Sequence, residues 1–177
     1  LYCIDVCFAS GVLCELAFLK GKVLEMDKQY KVGVVGATGM VGQRFVTLLK
    51  SSWFKLTTLA ASGRSAGKTY EEACRFSLAM TTPMPESVKK LVVLDAVQGG
   101  GGRLSGGLYL LRRQYAEGRD QGSGRAYAKA ECPVVSNNSA NRFTPDVPMV
   151  VPEINADHID IIPAQRKRLG TKRGFIA

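Results

Sequence analysis

Three glycines set up the first chemistry in this chain. Gly36, Gly39 and Gly42 stand at three-residue spacing in Val34-Val35-Gly36-Ala37-Thr38-Gly39-Met40-Val41-Gly42. A glycine turn that leads from a buried strand into a helix gathers free backbone N–H groups at the positive end of the helix dipole, which is a site for phosphate. The usual dinucleotide fingerprint is Gly-x-Gly-x-x-Gly. This Gly-x-x-Gly-x-x-Gly is looser, and by itself it also suits a plain strand–helix connection. A second group follows in Ser62-Gly63-Arg64-Ser65-Ala66-Gly67-Lys68. Two hydroxyls, one guanidinium and one ammonium suit a phosphate dianion, with arginine binding it through a planar fork. Taken alone, this group also reads as a solvated basic loop.

Strands and a helix must place these groups. Lys31 to Val35 is short, β-branched and apolar, as in a central parallel strand covered on both faces. Met40, Val41, Phe45, Val46, Leu48 and Leu49 then recur at helical spacing. Phe54 to Ser62 reads as a second strand. Strand, helix and strand make a βαβ unit with a right-handed crossover. The end of its second strand is where such a fold reads the adenosine ribose. An acid there binds the 2′-hydroxyl of NAD, whereas a basic residue takes the 2′-phosphate of NADP. No acid follows the second strand until Glu71, so position and residue types together favour NADP. The fold class expected is α/β, a doubly wound parallel sheet of the Rossmann type.

Further along, Val88 to Val97 reads as another strand. Residues 98–107 hold six glycines, and Arg112, Arg113, Arg119, Arg125 and Lys129 follow. The stretch 95–131 is therefore expected to be an atypical Gly/Arg-rich loop without order. Cys132 to Ser136 is a short strand that ends in Asn137-Asn138-Ser139-Ala140-Asn141-Arg142. Asp146 to Asn155 reads as an apolar strand kept at an edge by its prolines. Asp157 to Arg168 is helix-like, and Gly174 to Ala177 opens another strand.

The 177 residues are 46% hydrophobic with a net charge of +9, a globular composition and not a disordered one. A basic balance suits nucleic acid, a membrane surface or a small anionic substrate. No nucleic-acid motif is present, so a small anion is the expected partner, with neither nucleic acid nor membrane. The five cysteines (Cys3, Cys7, Cys14, Cys74 and Cys132) are odd in number and scattered, and His158 is the single histidine. They form no zinc spacing, so no metal is expected, and free thiols fit a reducing, cytoplasmic compartment. Leu1 to Leu19 is mostly apolar but carries Asp5 and Glu15. It lacks the basic start of a secretory signal, and a membrane helix would carry two acids at high cost. The first methionine is Met26. Residues 1–25 are expected to be an extension outside the fold, and 26–177 the domain.

With these residues assembled, the chain resembles the fungal and archaeal branch of the aspartate-semialdehyde dehydrogenases. The resemblance rests on Val34 through Gly42, Ala61 through Lys68, Val135-Ser136-Asn137 with Asn141-Arg142, Pro148 through Asn155, and Gly174-Phe175-Ile176. It covers most of 30–94 and 132–177. It implies NADPH-dependent reduction of L-aspartyl 4-phosphate to L-aspartate 4-semialdehyde with release of phosphate, on the route to lysine, threonine and methionine. It places Gly36, Thr38, Gly39, Met40 and Val41 on the pyrophosphate, and Ser62, Arg64 and Ser65 on the 2′-phosphate. It places Asn137, Asn141 and Arg142 on the substrate or inorganic phosphate.

The same resemblance implies a cysteine nucleophile and a histidine acid/base beyond Ala177, so no catalytic residue is assigned here. The catalytic and dimerisation half would be missing, from a full-length parent that is a homo-oligomer. Cys74, Cys132 and His158 match neither role. Within the family, 95–131 would be a strand, a loop over the cofactor and a helix, so the Gly/Arg-rich run reads as a shifted frame. The alternatives are a related reductase of the N-acetylglutamyl-phosphate or malonyl-CoA type, or a non-catalytic NADP-binding relic.

Overall fold

The structure is a computed structural model that describes residues 30–49, 54–75, 80–96, 108–111 and 119–177. The expected extension 1–25 lies outside these residues. Six strands form one sheet: β1 (Tyr30–Val35), β2 (Phe54–Ala61), β3 (Val93–Asp95), β4 (Leu108–Leu111), β5 (Pro133–Ser136) and β6 (Phe175–Ile176). Their spatial order is β3-β2-β1-β4-β5-β6, and each neighbouring pair is parallel. This is the dinucleotide-binding order 3-2-1-4-5-6, which reverses direction between β1 and β4. The expected fold class holds.

The doubly wound character shows in the alternation of side chains. In β1, Val32 and Val34 enter one apolar core, whereas Val35 enters the other. In β2, Leu59 and Ala61 face the first core and Ala60 the second. Val135 and Val134 of β5 divide in the same way. A strand with a period of two and both faces covered must be apolar throughout, and that explains the near-continuous hydrophobic runs. Phe45 and Val46 of α1 (Met40–Leu48), Tyr70 and Cys74 of α2 (Tyr70–Cys74), and Val88 of α3 (Glu86–Lys89) fill the first side. Tyr127 and Ala128 of α4 (Arg119–Lys129) fill the second.

Three expectations are corrected. The strand expected over Val88–Val97 is shorter. Glu86–Lys89 is a helical turn that follows Pro85, and pairing with β2 covers Val93–Asp95 alone. Asp146–Asn155 is not a strand. Pro148 and Pro152 have no N–H to give to a ladder, and Pro152 instead opens the short helix α5 (Pro152–Asn155). The Asn155 side chain does the ladder's work, accepting from Val151 N–H at 2.7 Å and donating to the Met149 carbonyl at 2.9 Å. Finally, the stretch 95–131 is not a loop throughout, because β4 and α4 both lie inside it. Backbone pairing with β1 and β5 fixes β4, which outweighs a glycine- and arginine-rich local composition.

The last helical segment is a 3-10 turn, Ala156–Ile161, that runs into α6 (Ile162–Leu169) and ends at Gly170 in the left-handed region. Gly170 is a glycine because that backbone conformation disfavours a side chain. Among the described residues, no helix is long and apolar enough to cross a membrane.

Candidate cofactor and phosphate site

The glycine turn is anchored to β2. The N–H groups of Gly36 and Ala37 both donate to the Ala60 carbonyl, at 2.8 and 3.1 Å. Gly36 has φ +81°, which a side chain would oppose. A Cβ on Gly42 would stand 2.1 Å from the Gly36 carbonyl oxygen and 2.7 Å from the Ala37 Cα. The third glycine is therefore where the helix presses on the turn.

The turn's own carbonyls are each taken by a protein donor. Gly39 N–H donates to Gly36 at 3.0 Å, the Tyr70 hydroxyl to Ala37 at 2.9 Å, and the Gln43 side-chain amide to Thr38 at 2.9 Å. The helix start is left free. Gly39 occupies the N-cap of α1 without a side-chain cap, and no acid lies in the first turn. The N–H groups of Met40, Val41 and Gly42 have no acceptor one turn back within the helix. Acceptors held away and donors presented is the polarity an anion needs. Gly39 and Met40 are exposed and Thr38 is half-buried, so this end is open to a ligand. The residues present fit a dinucleotide pyrophosphate.

Ser62, Arg64 and Ser65 follow β2 in one tight turn. Ser65 N–H and Ala66 N–H both donate to the Ser62 carbonyl, at 2.8 and 3.2 Å. Arg64 is exposed, while Ser62 and Ser65 are half-buried. Gly67, at φ +81°, then lets the chain turn back to donate to the Val93 carbonyl at 2.8 Å. Thr69 and Glu72 form a capping box that starts α2. The Thr69 bonds hold the Glu72 carboxyl below its usual range. The helix so fixed brings Tyr70 back to Ala37, which joins this loop to the glycine turn.

Asn137, Asn141 and Arg142 come together. They line one cavity of about 190 Å³ with Val147, Met149 and Ala177 at the carboxyl ends of β5 and β6. Arg142 is exposed at the rim, whereas Asn141 is 7% exposed. The side-chain oxygens of Asn137 and Asn141 are buried and have no hydrogen-bond partner among the described residues, which calls for a ligand or water. Asparagine carries donor and acceptor on one head, so it can turn either to what is bound. Asn141 is placed by a run of turns, with Arg142 N–H on the Ser139 carbonyl and Thr144 N–H on that of Asn141.

The remaining candidates stay outside. Cys74 is buried against the first core, where burial pushes its thiol up. Cys132 is buried at the opposite end of β5 from Asn137. His158 is exposed in the 3-10 turn with Nδ1 3.2 Å from the Met149 carbonyl. Among the described residues, no cluster of His, Cys, Asp and Glu could hold a metal. Sequence reasoning missed Gln43, Tyr70 and Gln165. Each is a polar side chain on a buried face, and that mismatch was the available signal.

The family pattern described as "Semialdehyde dehydrogenase, NAD binding domain" matches residues 31–100 and 121–162. These spans include the glycine turn, the Ser62–Lys68 loop and the Asn137–Arg142 cavity wall. The chain belongs to the semialdehyde dehydrogenase family. It is 43% identical to an aspartate-semialdehyde dehydrogenase of Methanothermobacter thermautotrophicus over 146 residues, which are 82% of this chain and 40% of that protein. It is 42% identical to one from Aspergillus fumigatus, over 82% of this chain and 39% of that protein. A crystal structure of aspartate-semialdehyde dehydrogenase with NADP from Candida albicans superposes with a TM-score of 0.72 at 35% identity. That superposition covers 84% of this chain and 42% of the Candida chain. This semialdehyde dehydrogenase chain thus spans about 40% of the length of the curated relatives it matches. The resemblance to aspartate-semialdehyde dehydrogenases holds for their nucleotide-binding part.

Proposed function

We propose that this chain is the NADP-binding part of an aspartate-semialdehyde dehydrogenase. Such an enzyme reduces L-aspartyl 4-phosphate with NADPH and a proton to L-aspartate 4-semialdehyde, NADP and phosphate. One observation carries the reading: the uncapped helix start, the Ser62–Ser65 turn and the Asn137–Asn141–Arg142 cavity all lie at the carboxyl ends of parallel strands. Ligands of open α/β sheets bind along that edge. The names of the relatives and the NADP in the Candida enzyme support the choice of substrate and cofactor.

In this reading NADPH, when bound, supplies the hydride. The α1 N-terminus holds the pyrophosphate, and Arg64 with Ser62 and Ser65 takes the 2′-phosphate. Arg142 binds the substrate phosphate through its planar fork, with Asn137 and Asn141 as neutral partners. As the acyl–oxygen bond breaks, negative charge gathers on the leaving phosphate, and the Arg142 guanidinium stabilises it. The family reaction needs a thiolate to carry the acyl group. Among the described residues, Cys74 and Cys132 are buried away from the cavity, so neither is placed to supply it.

Calorimetry with NADPH, NADH and inorganic phosphate tests the reading. Binding of NADPH well above NADH, together with phosphate binding lost in Arg142→Ala, is expected. Equal binding of the two dinucleotides would remove the NADP assignment. Phosphate- and NADP-dependent semialdehyde oxidation that is abolished by Cys74→Ala or Cys132→Ala would overturn the exclusion of these two thiols.

A further inference from the structure

Gln165 is a buried polar residue that neither cofactor binding nor phosphate binding uses directly. It sits on α6 with no exposed surface. Its amide makes three hydrogen bonds, which nearly exhaust what one amide can do. Nε2 donates to the Asp146 carbonyl at 2.8 Å and to the Ile176 carbonyl at 2.8 Å, and Oε1 accepts from Ile176 N–H at 2.7 Å.

The geometry has a particular sense. Just after β6, Ala177 pairs inward, with its N–H on the Val134 carbonyl and its carbonyl accepting from Ser136 N–H. The N–H and carbonyl of Ile176 point the other way, to the open edge of the sheet. Gln165 supplies the missing strand there, one donor and one acceptor on a single amide. Its third bond reaches the carbonyl of Asp146, the residue before Val147 and Pro148. Ile176 and Ala177 form one wall of the Arg142 cavity, and Val147 to Val150 form another. One side chain outside the cavity therefore ties two of its walls together.

We propose that Gln165 is a positioning residue for the phosphate cavity, setting the spacing between the Val147–Val150 wall and the Ile176–Ala177 wall. It acts through the backbone and touches no ligand. The inference rests on the reading of that cavity as a phosphate site. It concerns the phosphate pocket and not the dinucleotide, because the Gly36–Gly42 turn and the Ser62–Ser65 loop make none of these bonds.

The test is calorimetry on the full chain with inorganic phosphate and, separately, NADPH. Gln165→Met keeps the side-chain length and removes all three bonds. It is expected to weaken phosphate roughly tenfold while NADPH affinity stays within about twofold. Gln165→Glu provides a second reading should the methionine variant fail to fold. A protonated acid keeps one donor and the acceptor, whereas the ionised form has no donor and faces two carbonyls. Its phosphate affinity relative to wild type is therefore expected to fall as pH rises, with NADPH affinity flat. Variants that bind phosphate as wild type does, or lose phosphate and NADPH equally, would overturn the inference. A glutamate variant whose pH profile parallels wild type would do the same. If the wild-type chain binds no phosphate, the cavity reading itself fails and takes this inference with it. Loss in Arg142→Ala with no change at Gln165 removes the inference alone.

Discussion

The Tyr70 hydroxyl donates to the Ala37 carbonyl across 33 residues of sequence at 2.9 Å. Both residues are buried. Burial pushes the tyrosine pKa up, so the ring keeps its proton and remains a donor. This bond holds the peptide after Ala37 in the orientation that turns its carbonyl inward. It also joins the two loops assigned to the two ends of one cofactor.

Tyr70→Phe removes the donor and leaves the Ala37 carbonyl buried and unpaired. Such a loss costs about 1–3 kcal/mol. Urea unfolding followed by circular dichroism should show a lower midpoint with an unchanged slope. A midpoint equal to wild type would mean that another donor satisfies Ala37.

Gly42→Ala should be worse than its single carbon suggests. The added Cβ meets the backbone of the turn, at 2.1 Å from the Gly36 oxygen and 2.7 Å from the Ala37 Cα. Backbone cannot rotate aside as a side chain can, so the helix must lift from the turn. Overpacking of this kind costs about 1–3 kcal/mol or more. NADPH affinity should fall with stability, since the same peptides form the proposed anion site. A thermally intact variant that binds NADPH normally would contradict the close-contact argument.

Arg64→Ala should separate the two dinucleotides. Arg64 is exposed and makes no ion pair among the described residues, so its removal should leave folding unaltered. A hydrogen-bonded charge pair contributes about 1.5–3 kcal/mol, or about 10- to 100-fold in affinity. NADPH binding should weaken by that factor while NADH binding stays constant. An equal change for both would place the 2′-phosphate elsewhere.

Glu131 should give the protein an acid-sensitive contact. Its carboxylate accepts from the N–H groups of Lys172, Arg173 and Gly174. Those backbone bonds, Lys172 first, hold its carboxyl below the usual range. A depressed folded pKa means that the unfolded chain binds more protons in the window between the two values. Stability from this group is therefore complete above the unfolded pKa, about 4.3 for glutamate, and is lost as pH falls through the folded value. Thermal melts of Glu131→Gln should be less stable than wild type near neutrality, with the difference shrinking below that window. A constant difference at all pH values would show that the charge is not involved.

The sequence by itself determined the βαβ start, the glycine turn, the basic loop behind β2 and the family. Those features are local: a run of apolar residues, a glycine at a forced conformation, a cation at a strand end. Distant contacts were not legible. Asn155 replaces a strand ladder in the Pro148–Pro152 segment, and Gln165 stands in for a strand beside Ile176. Neither residue carries a local signal beyond being polar where the pattern wants apolar. The order of the six strands, and β4 inside a glycine- and arginine-rich stretch, were likewise set by pairing partners far along the chain. Residue types chose what could bind. The tertiary structure decided that Asn137, Asn141 and Arg142 share one cavity, because only the parallel register of β5 and β6 brings Ala177 opposite them.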